Sequence, residues 1–403
     1  MKKPVRNLLT LFAATLSSTG WAFQAQPVPV PEDQSTAPQI DIAAVGTATL
    51  NLGRTGSTGK TEGGINFSDS AVQLGGAERL FNQGIGSAVF GGMTNEESIQ
   101  GGGNSLFLHQ TLVDYQEQSF EALLGRSDNP TAHLIDFPTL RGDDLITLTN
   151  PLDPFSNGTN VEEHRYSNVA SVTFNQKLRY FENFHAQHLI NSAGLGSPSG
   201  LNSFGATFEY RVDVGQEMFQ RVPYWGVGYE HITLANNSPG GLNQAYAGMV
   251  LNLNESVTNR WDLRLQDIVS LGSDLRSFAN ITDSFQGNSN AISGSIRYLH
   301  SPFGSAGYQL ALTLGQKKYF RVSNASSWGG ALTGVKTLGQ GFDVVVQYQG
   351  QWRGQALASA QSSGIAYEQV AEAGLMFNFD AVINQHLSPR RSILNQQHQY
   401  IPR

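Results

Sequence analysis

The sequence predicts an all-β protein, a transmembrane antiparallel up-and-down β-barrel of sixteen strands. Apolar and polar residues alternate in segment after segment of roughly ten residues, a secretory leader comes first, and no other long apolar run follows. Successive side chains of a strand point to opposite faces, so each segment has one apolar face and one polar face. Fourteen strands is the alternative count.

The alternation is clearest in residues 204–213 and 342–353. The first segment places Phe204, Ala206, Phe208, Tyr210 and Val212 on one face and Gly205, Thr207, Glu209, Arg211 and Asp213 on the other. The second segment repeats the pattern, with Trp352 on the apolar face and Arg353 on the polar face. A barrel with lipid outside and water inside needs this arrangement in every strand, because only a closed sheet pairs all its backbone groups in hydrocarbon.

The N-terminal residues have the anatomy of an export signal. A basic start precedes an apolar stretch from Leu8 to Leu16, and small residues allow cleavage after Ala22. This stretch is shorter than the ~20 residues of a membrane-spanning helix. Residues 1–22 are therefore predicted to be a cleaved signal peptide. Residues 23–38, which are rich in Pro, are predicted to form an extended periplasmic lead-in.

The composition excludes several classes of function. The chain has no Cys, which excludes disulfides, thiolate metal sites and covalent haem attachment within it. Its formal net charge of −7 argues against nucleic acid as a partner. A charged fraction of 14% and 44 Gly suit a tightly turning barrel.

The barrel is predicted to occupy residues 39–380, followed by a polar periplasmic tail at 381–403. The predicted strands lie near 39–53, 64–78, 85–94, 104–114, 117–126, 168–178, 184–194, 203–213, 223–234, 244–255, 260–271, 290–300, 305–319, 328–339, 342–354 and 366–380. Short links alternate with longer Gly-, Asn- and Ser-rich links, as expected for periplasmic turns and external loops. Residues 374–379 resemble the terminal-strand signal of outer-membrane barrels.

Together these features resemble the sixteen-stranded porins of Gram-negative outer membranes, over residues 39–380. The resemblance implies residence in the outer membrane in contact with lipid, a water-filled pore and passive diffusion of small hydrophilic solutes. It also implies a homotrimer, and it implies no cofactor.

The third long connection, residues 127–167, is predicted to fold inward and narrow the pore. It contains apolar residues that can pack, such as Leu134 and Phe137, and its charges sum to −5. The predicted constriction residues are Asp136, Arg141, Asp143, Asp144 and Asp153. The alternatives are an external lid and a loop that contacts a neighbouring subunit.

The polar faces of the strands supply the predicted pore wall. Its charged residues are Lys177, Glu209, Arg211, Asp262, Arg264, Arg297 and Arg353. Acidic groups bias a pore toward cations, and the loop's acids outweigh the mixed wall, so weak cation selectivity is predicted. The alternative is that these ions only pair with one another and keep the lumen hydrated.

Three other hypotheses receive less support from the sequence. The adjacent carboxylates of Asp143 and Asp144 lack the ordered set of oxygen ligands that calcium needs, and His185 and His188 lie on opposite faces of a strand. His188 and His231 fall on apolar faces, but no motif links either to a nucleophile, so no enzyme activity is predicted. A barrel that serves as a sleeve for an electron-transfer or export partner stays open as an alternative.

Overall fold

The computed structural model describes residues 39–55, 61–66, 71–80, 84–94, 106–117, 119–128, 166–175, 177–186, 201–212, 220–234, 241–254, 256, 258–273, 288–300, 307–320, 323–339, 342–356 and 366–383. All of them belong to the second of two units, 1–34 and 35–403, into which the chain divides. No helix within the described ranges is both long and apolar enough to cross a membrane.

The described residues form one antiparallel sheet of seventeen strands. These are β1 (Gln39–Thr55), β2 (Thr61–Asn66), β3 (Ala71–Leu80), β4 (Gly84–Thr94), β5 (Leu106–Gln116), β6 (Phe120–Asp128), β7 (Tyr166–Phe174), β8 (Leu178–Ala186), β9 (Leu201–Arg211), β10 (Tyr224–Leu234), β11 (Gly241–Asn252), β12 (Asn259–Ser273), β13 (Ser289–His300), β14 (Tyr308–Tyr319), β15 (Ser326–Gly339), β16 (Phe342–Arg353) and β17 (Tyr367–Ile383).

The strand pairings run around the whole sheet and return to their start. Each strand from β3 to β16 pairs with the next along the chain, and β17 pairs with β1 from Ile40↔Ile383 to Thr55↔Glu368. The other edge of β1 pairs with β2 and β3. The first and last strands therefore hydrogen-bond to each other, and the predicted antiparallel up-and-down architecture is confirmed.

The second predicted strand, 64–78, overlaps both β2 and β3 of the structure. Both segments pair with β1, β2 opposite its C-terminal half and β3 opposite its N-terminal half. The pairing register changes by one residue between Thr49↔Asn66 and Val45↔Ala71. Residues 67–70 lie outside the described residues, and the described residues form seventeen strand segments where the sequence predicts sixteen strands.

The two faces of the sheet have opposite polarity, as the alternation predicts. On β14 the side chains of Leu310, Leu312 and Leu314 are exposed, whereas Gln309, Thr313 and Lys317 are buried. In a ring of strands the sheltered face is the inner one. Apolar side chains therefore point outward and polar side chains inward, which is the reverse of a water-soluble protein.

Aromatic side chains gather at both ends of the outer face. At the end where β13 joins β14, Trp261, Tyr298 and Tyr308 form a row with ring centroids 4.8 and 5.8 Å apart. At the opposite end, Trp328 and Trp352 stack at 4.2 Å. Amphipathic rings in these two positions are typical of the girdles at membrane interfaces.

The connections keep the predicted alternation of lengths only in part. The link at 212–223 is longer than the predicted turn, because β9 ends at Arg211 and β10 begins only at Tyr224. On the side predicted to carry long loops, the links at 56–60, 235–240 and 320–325 are short. The last strand extends to Ile383, beyond the predicted barrel end at 380. The predicted signal peptide, lead-in and most of the tail lie outside the described residues.

A charged residue introduced in the middle of the outer face tests whether that face contacts lipid. Leu312 lies opposite Ile296 and Leu332 on the neighbouring strands. We expect Leu312→Arg to lower the free energy of unfolding by about 2–4 kcal/mol, the cost of a guanidinium at the bilayer midplane. The measurement is the urea midpoint of the protein refolded into lipid vesicles.

Gln316→Arg is the matched control, because Gln316 is exposed on the same strand nearer its end. We expect a cost of about 0–1 kcal/mol there. Equal midpoints for the two variants would mean that this face does not contact the hydrocarbon core.

Candidate functional site

The inner face of the sheet concentrates the polar chemistry of the described chain. The inward, buried polar side chains of β9–β16 are Ser203, Thr207, Glu230, Gln244, Asn252, Asp262, Arg264, Gln266, Ser270, Ser289, Ser293, Ser295, Arg297, Gln309, Thr313, Lys317, Ser327, Thr333, Asp343, Gln347, Gln351 and Arg353. Buried charges need partners, so the contacts among these groups define what the wall can do.

The most highly charged part of this wall is the arginine cluster, Arg260, Asp262, Arg264 and Arg297. The first three alternate along β12 and so share a face, and Arg297 on β13 lies directly opposite Asp262. Asp262 accepts hydrogen bonds from Nε and Nη2 of Arg297 at 2.9 and 2.5 Å and from Nε of Arg264 at 3.2 Å. Nε of Arg260 lies 3.5 Å from Asp262 Oδ2.

The arginine cluster carries a net charge of +2. The Asp262 side chain is fully buried, and the Arg297 side chain is only 3% exposed. Coulomb attraction is stronger in such a place than in water, and it offsets the cost of removing the charges from water. One carboxylate is shared by three guanidinium groups here, and Arg260 and Arg264 also have further interactions.

A second group, the hydroxyl–amide track, lies beside the arginine cluster on β13 and β14. It comprises Ser289, Ser293, Ser295, Gln309 and Thr313, all of them buried. Both amide atoms of Gln309 and the hydroxyl oxygens of the other four have no hydrogen-bond partner in the described part of the chain. A buried polar atom without a partner costs about 1–3 kcal/mol, so these groups need water or a solute.

A third group surrounds a buried carboxylate on β10. The hydroxyl of Tyr246 lies 3.3 Å from Oε2 of Glu230 and also contacts Oε1 of Gln244. Nε2 of Gln244 donates to the hydroxyl of Ser270 at 3.2 Å. The wall therefore carries local groups of both signs rather than one uniform charge.

Three of the seven predicted wall residues, Asp262, Arg264 and Arg297, come together in the arginine cluster. Two others form a separate pair near the end of β9, where Nη2 of Arg211 lies 3.1 Å from Oε2 of Glu209. The Arg211 side chain is 57% exposed, so this pair is a solvated one.

The remaining two predicted wall residues occupy opposite ends of the sheet. Lys177 lies in the turn before β8, with its ammonium 5.3 Å from the centre of the Tyr210 ring. Arg353 is buried at the end of β16, where Nη2 donates to Oε1 of Gln351 at 3.0 Å. The predicted wall residues thus lie in several separate places, and the ammonium of Lys177 contacts an aromatic ring of the apolar face.

The sequence analysis missed Arg260 and Glu230 as members of the wall. Arg260 precedes Asp262 by two residues and therefore lies on the same face of β12 as Asp262 and Arg264. The alternation alone was enough to predict it as a wall residue. Glu230 lies on the same face of β10 as Gly226 and Gly228. Because glycine has no side chain, the alternation of apolar and polar residues is hard to recognise on that face. The predicted constriction residues, Asp136, Arg141, Asp143, Asp144 and Asp153, lie outside the described residues.

His231 lies on the apolar outer face, as its position in the alternation predicts. Its ring is 5.2 Å from the ring of Phe204, and its Nδ1 lies 3.0 Å from Oδ1 of Asn243. Asn243 also accepts a hydrogen bond from Tyr229 at 2.7 Å. His188 lies outside the described residues. The described residues contain no group of three or more His, Cys, Asp or Glu that could hold a metal ion.

An antiparallel ring of strands with a polar sheltered face and an apolar exposed face defines a transmembrane β-barrel. Comparison with solved structures identifies the porin type. The chain is similar to the anion-selective porin from Comamonas acidovorans, with a TM-score of 0.57 and 13% identity over 85% of this chain and 100% of that chain. The chain therefore has the fold of an outer-membrane porin-type β-barrel.

Two further outer-membrane proteins have the same fold. OmpT of Vibrio cholerae, in its trimer form, gives a TM-score of 0.51 at 7% identity, over 85% of this chain and 100% of that chain. Salmonella typhi OmpF in complex with daunomycin gives 0.51 at 10% identity, over 85% and 97%. No protein-family model and no curated protein sequence matches the chain.

Removing the central carboxylate tests how the arginine cluster is held. We expect Asp262→Asn to lower the free energy of unfolding by about 3 kcal/mol, because three guanidinium groups then lose their shared anion in a buried place. The measurement is again the urea midpoint in lipid vesicles, followed by tryptophan fluorescence.

Glu209→Gln is the control, because it breaks the ion pair of Glu209 with Arg211. This pair also belongs to the predicted wall but is exposed to solvent. Its expected cost is about 0–1 kcal/mol. If Asp262→Asn costs no more than Glu209→Gln, the arginine cluster is not a buried ion network.

Proposed function

We propose that the protein is an outer-membrane porin through which small hydrophilic solutes diffuse passively. The observation that carries this proposal is the reversed polarity of the sheet, with charged, amide and hydroxyl groups on the inner face of a ring and apolar groups outside. Such a wall keeps a passage wet while the outer face contacts lipid. The fold shared with porins supports the same function.

The finer features of the proposal follow from the sequence. After cleavage of residues 1–22 the chain enters the outer membrane, where it assembles as a homotrimer. Residues 127–167 narrow the pore, and their acidic excess makes it weakly cation-selective. The low exposure of the inner wall supports a narrow passage rather than a wide one.

A sleeve for an electron-transfer or export partner is the second candidate function. The same low exposure favours it, because a wall that is sheltered from solvent also fits an interior that is occupied. A sleeve would purify with its partner and would pass no steady current, whereas a porin would purify alone and conduct. We expect catalysis in neither case.

Single-channel recording decides between these functions. We expect the refolded mature protein to give steady openings in a planar bilayer, in groups of three for a homotrimer, with a reversal potential that favours cations in a salt gradient. Deleting residues 130–160 should raise the conductance severalfold. Unchanged conductance would remove this loop from the lumen, and a silent folded barrel would favour the sleeve.

Neutralising the loop's carboxylates tests the origin of selectivity. We expect the combined replacement of Asp136, Asp143 and Asp144 by Asn to shift the reversal potential toward anions, because a pore's preference follows the charges at its narrowest point. The control is Asp267→Asn, a carboxylate on the outer face of β12. If the triple variant and the control have the same reversal potential, the loop's acids do not set selectivity.

A further inference from the structure

The outer face of β10, β11 and β12 carries polar side chains among the apolar ones. Asp267 on β12 is exposed and lies between the apolar side chains of Leu265 and Val269 on that face. His231 on β10 and Asn243 on β11 lie directly opposite each other on the same face. The outer face of β14 is instead a row of leucines. An ionisable group in hydrocarbon is costly, so Asp267 marks a place where something other than lipid makes contact.

His231 and Asp267 lie at a similar depth in the sheet. Counted from the end of the sheet where β13 joins β14, His231 is the eighth residue of β10 and Asp267 is the ninth residue of β12. Both fall within the length of strand that crosses a membrane, about 9–11 residues. Two copies of the chain in one membrane can therefore bring these residues to the same level.

One atom of each of these two side chains is held within its own sheet. Nδ1 of His231 lies 3.0 Å from Oδ1 of Asn243, and Nδ2 of Asn290 donates a hydrogen bond to Oδ1 of Asp267. The described ranges hold no contact of His231 Nε2 or of Asp267 Oδ2. Nε2 of a protonated imidazole donates and a carboxylate oxygen accepts, so the two available atoms are complementary.

Rotation about the membrane normal brings these two strands of different copies together. In a closed ring of copies, the β12 side of one copy faces the β10 side of the next. A member of a ring of three touches its two neighbours at points about 60° apart, which corresponds to two to three strands of a seventeen-stranded sheet. β10 and β12 are two strands apart. Between them β11 presents Ala245 and Ala247, whose small side chains allow a close approach.

We propose that the subunit face, formed by His231, Asn243, Ala245, Ala247 and Asp267, is the contact between copies of this chain in the homotrimer. Nε2 of His231 in one copy donates to Asp267 of the next copy, and this pair repeats around the ring. The occupant is a second copy, because the surface itself supplies both members of the pair at matching depth and at the spacing that a ring of three requires. The inference rests on the proposed function and adds to it the surface that holds the trimer.

Exchange of the two side chains tests the pair. His231→Asp sets acid against acid at each contact, and Asp267→His sets imidazole against imidazole, so each single variant loses the complementary pair. We expect each to raise the dissociation constant of the trimer at least tenfold, the effect of losing one charge-assisted hydrogen bond. The double variant restores the pair in reverse order and should recover most of the loss. The measurement is sedimentation of the refolded mature protein in detergent over a range of concentrations.

Asp267→Asn gives a second variant with little risk to the fold. Asn keeps an acceptor for Asn290 and removes a charge from the apolar face, so the urea midpoint of the barrel should not fall. We expect the trimer to weaken about tenfold. The reversal potential should stay the same, because each barrel has its own pore.

Lys318→Gln is the matched control. Lys318 is also an exposed charged residue of the outer face, but it lies on β14, outside the subunit face. Its removal should leave the dissociation constant of the trimer unchanged. Weakening by Lys318→Gln equal to that of Asp267→Asn would overturn the assignment of the contact to β10–β12.

The failures of the subunit face and of the porin function are distinguishable. A trimer that survives His231→Asp and Asp267→His at full strength would overturn this face and leave the homotrimer intact. A protein that conducts as a monomer would overturn the face and the homotrimer but not the channel. Weakening by both single variants with recovery in the double variant would support the face. A trimer with this behaviour that passes no current would support the face and reject the porin function.

Discussion

Pairing of the first strand with the last is the constraint on which the rest of this structure depends. In hydrocarbon every backbone N–H and C=O needs a partner within the protein, and an open sheet edge has none. β1 meets β17 over sixteen residue pairs, and its other edge is occupied by β2 and β3. This ring creates an inside and an outside, and the side chains follow from that division.

Separation of the two faces decides where stabilising interactions form. The outer face exposes large apolar groups such as Leu332 and Val346, and such a face gains no hydrophobic stabilisation while it is in contact with water. The inner face depends on polar contacts, such as the hydrogen bond of 2.8 Å from Thr333 to Gln347. The interior of this protein is therefore a polar network, and each member without a partner is a place for water or solute.

The sequence predicts which face a residue occupies better than it predicts which residues meet. Alternation alone places Asp262 and Arg264 on the same face of β12. The contact of Asp262 with Arg297 depends on the register between β12 and β13, which the alternation within either strand does not predict. The register change of one residue between β2 and β3 reverses which alternate residues share a face. The six residues of β2, two of them Gly, are too few to show that reversal in the sequence.

The fold leaves the selectivity of the passage open, because the pairing of the strands does not depend on the charges that they display inward. A porin described as anion-selective shares this ring at 13% identity. The acidic loop of the present chain predicts a preference for cations. Inward positions contribute little to the backbone ladder, so they can change sign without changing the barrel. Function must therefore be derived from particular wall residues, and the described wall concentrates its charged side chains on β12 and β13, where three arginines surround Asp262.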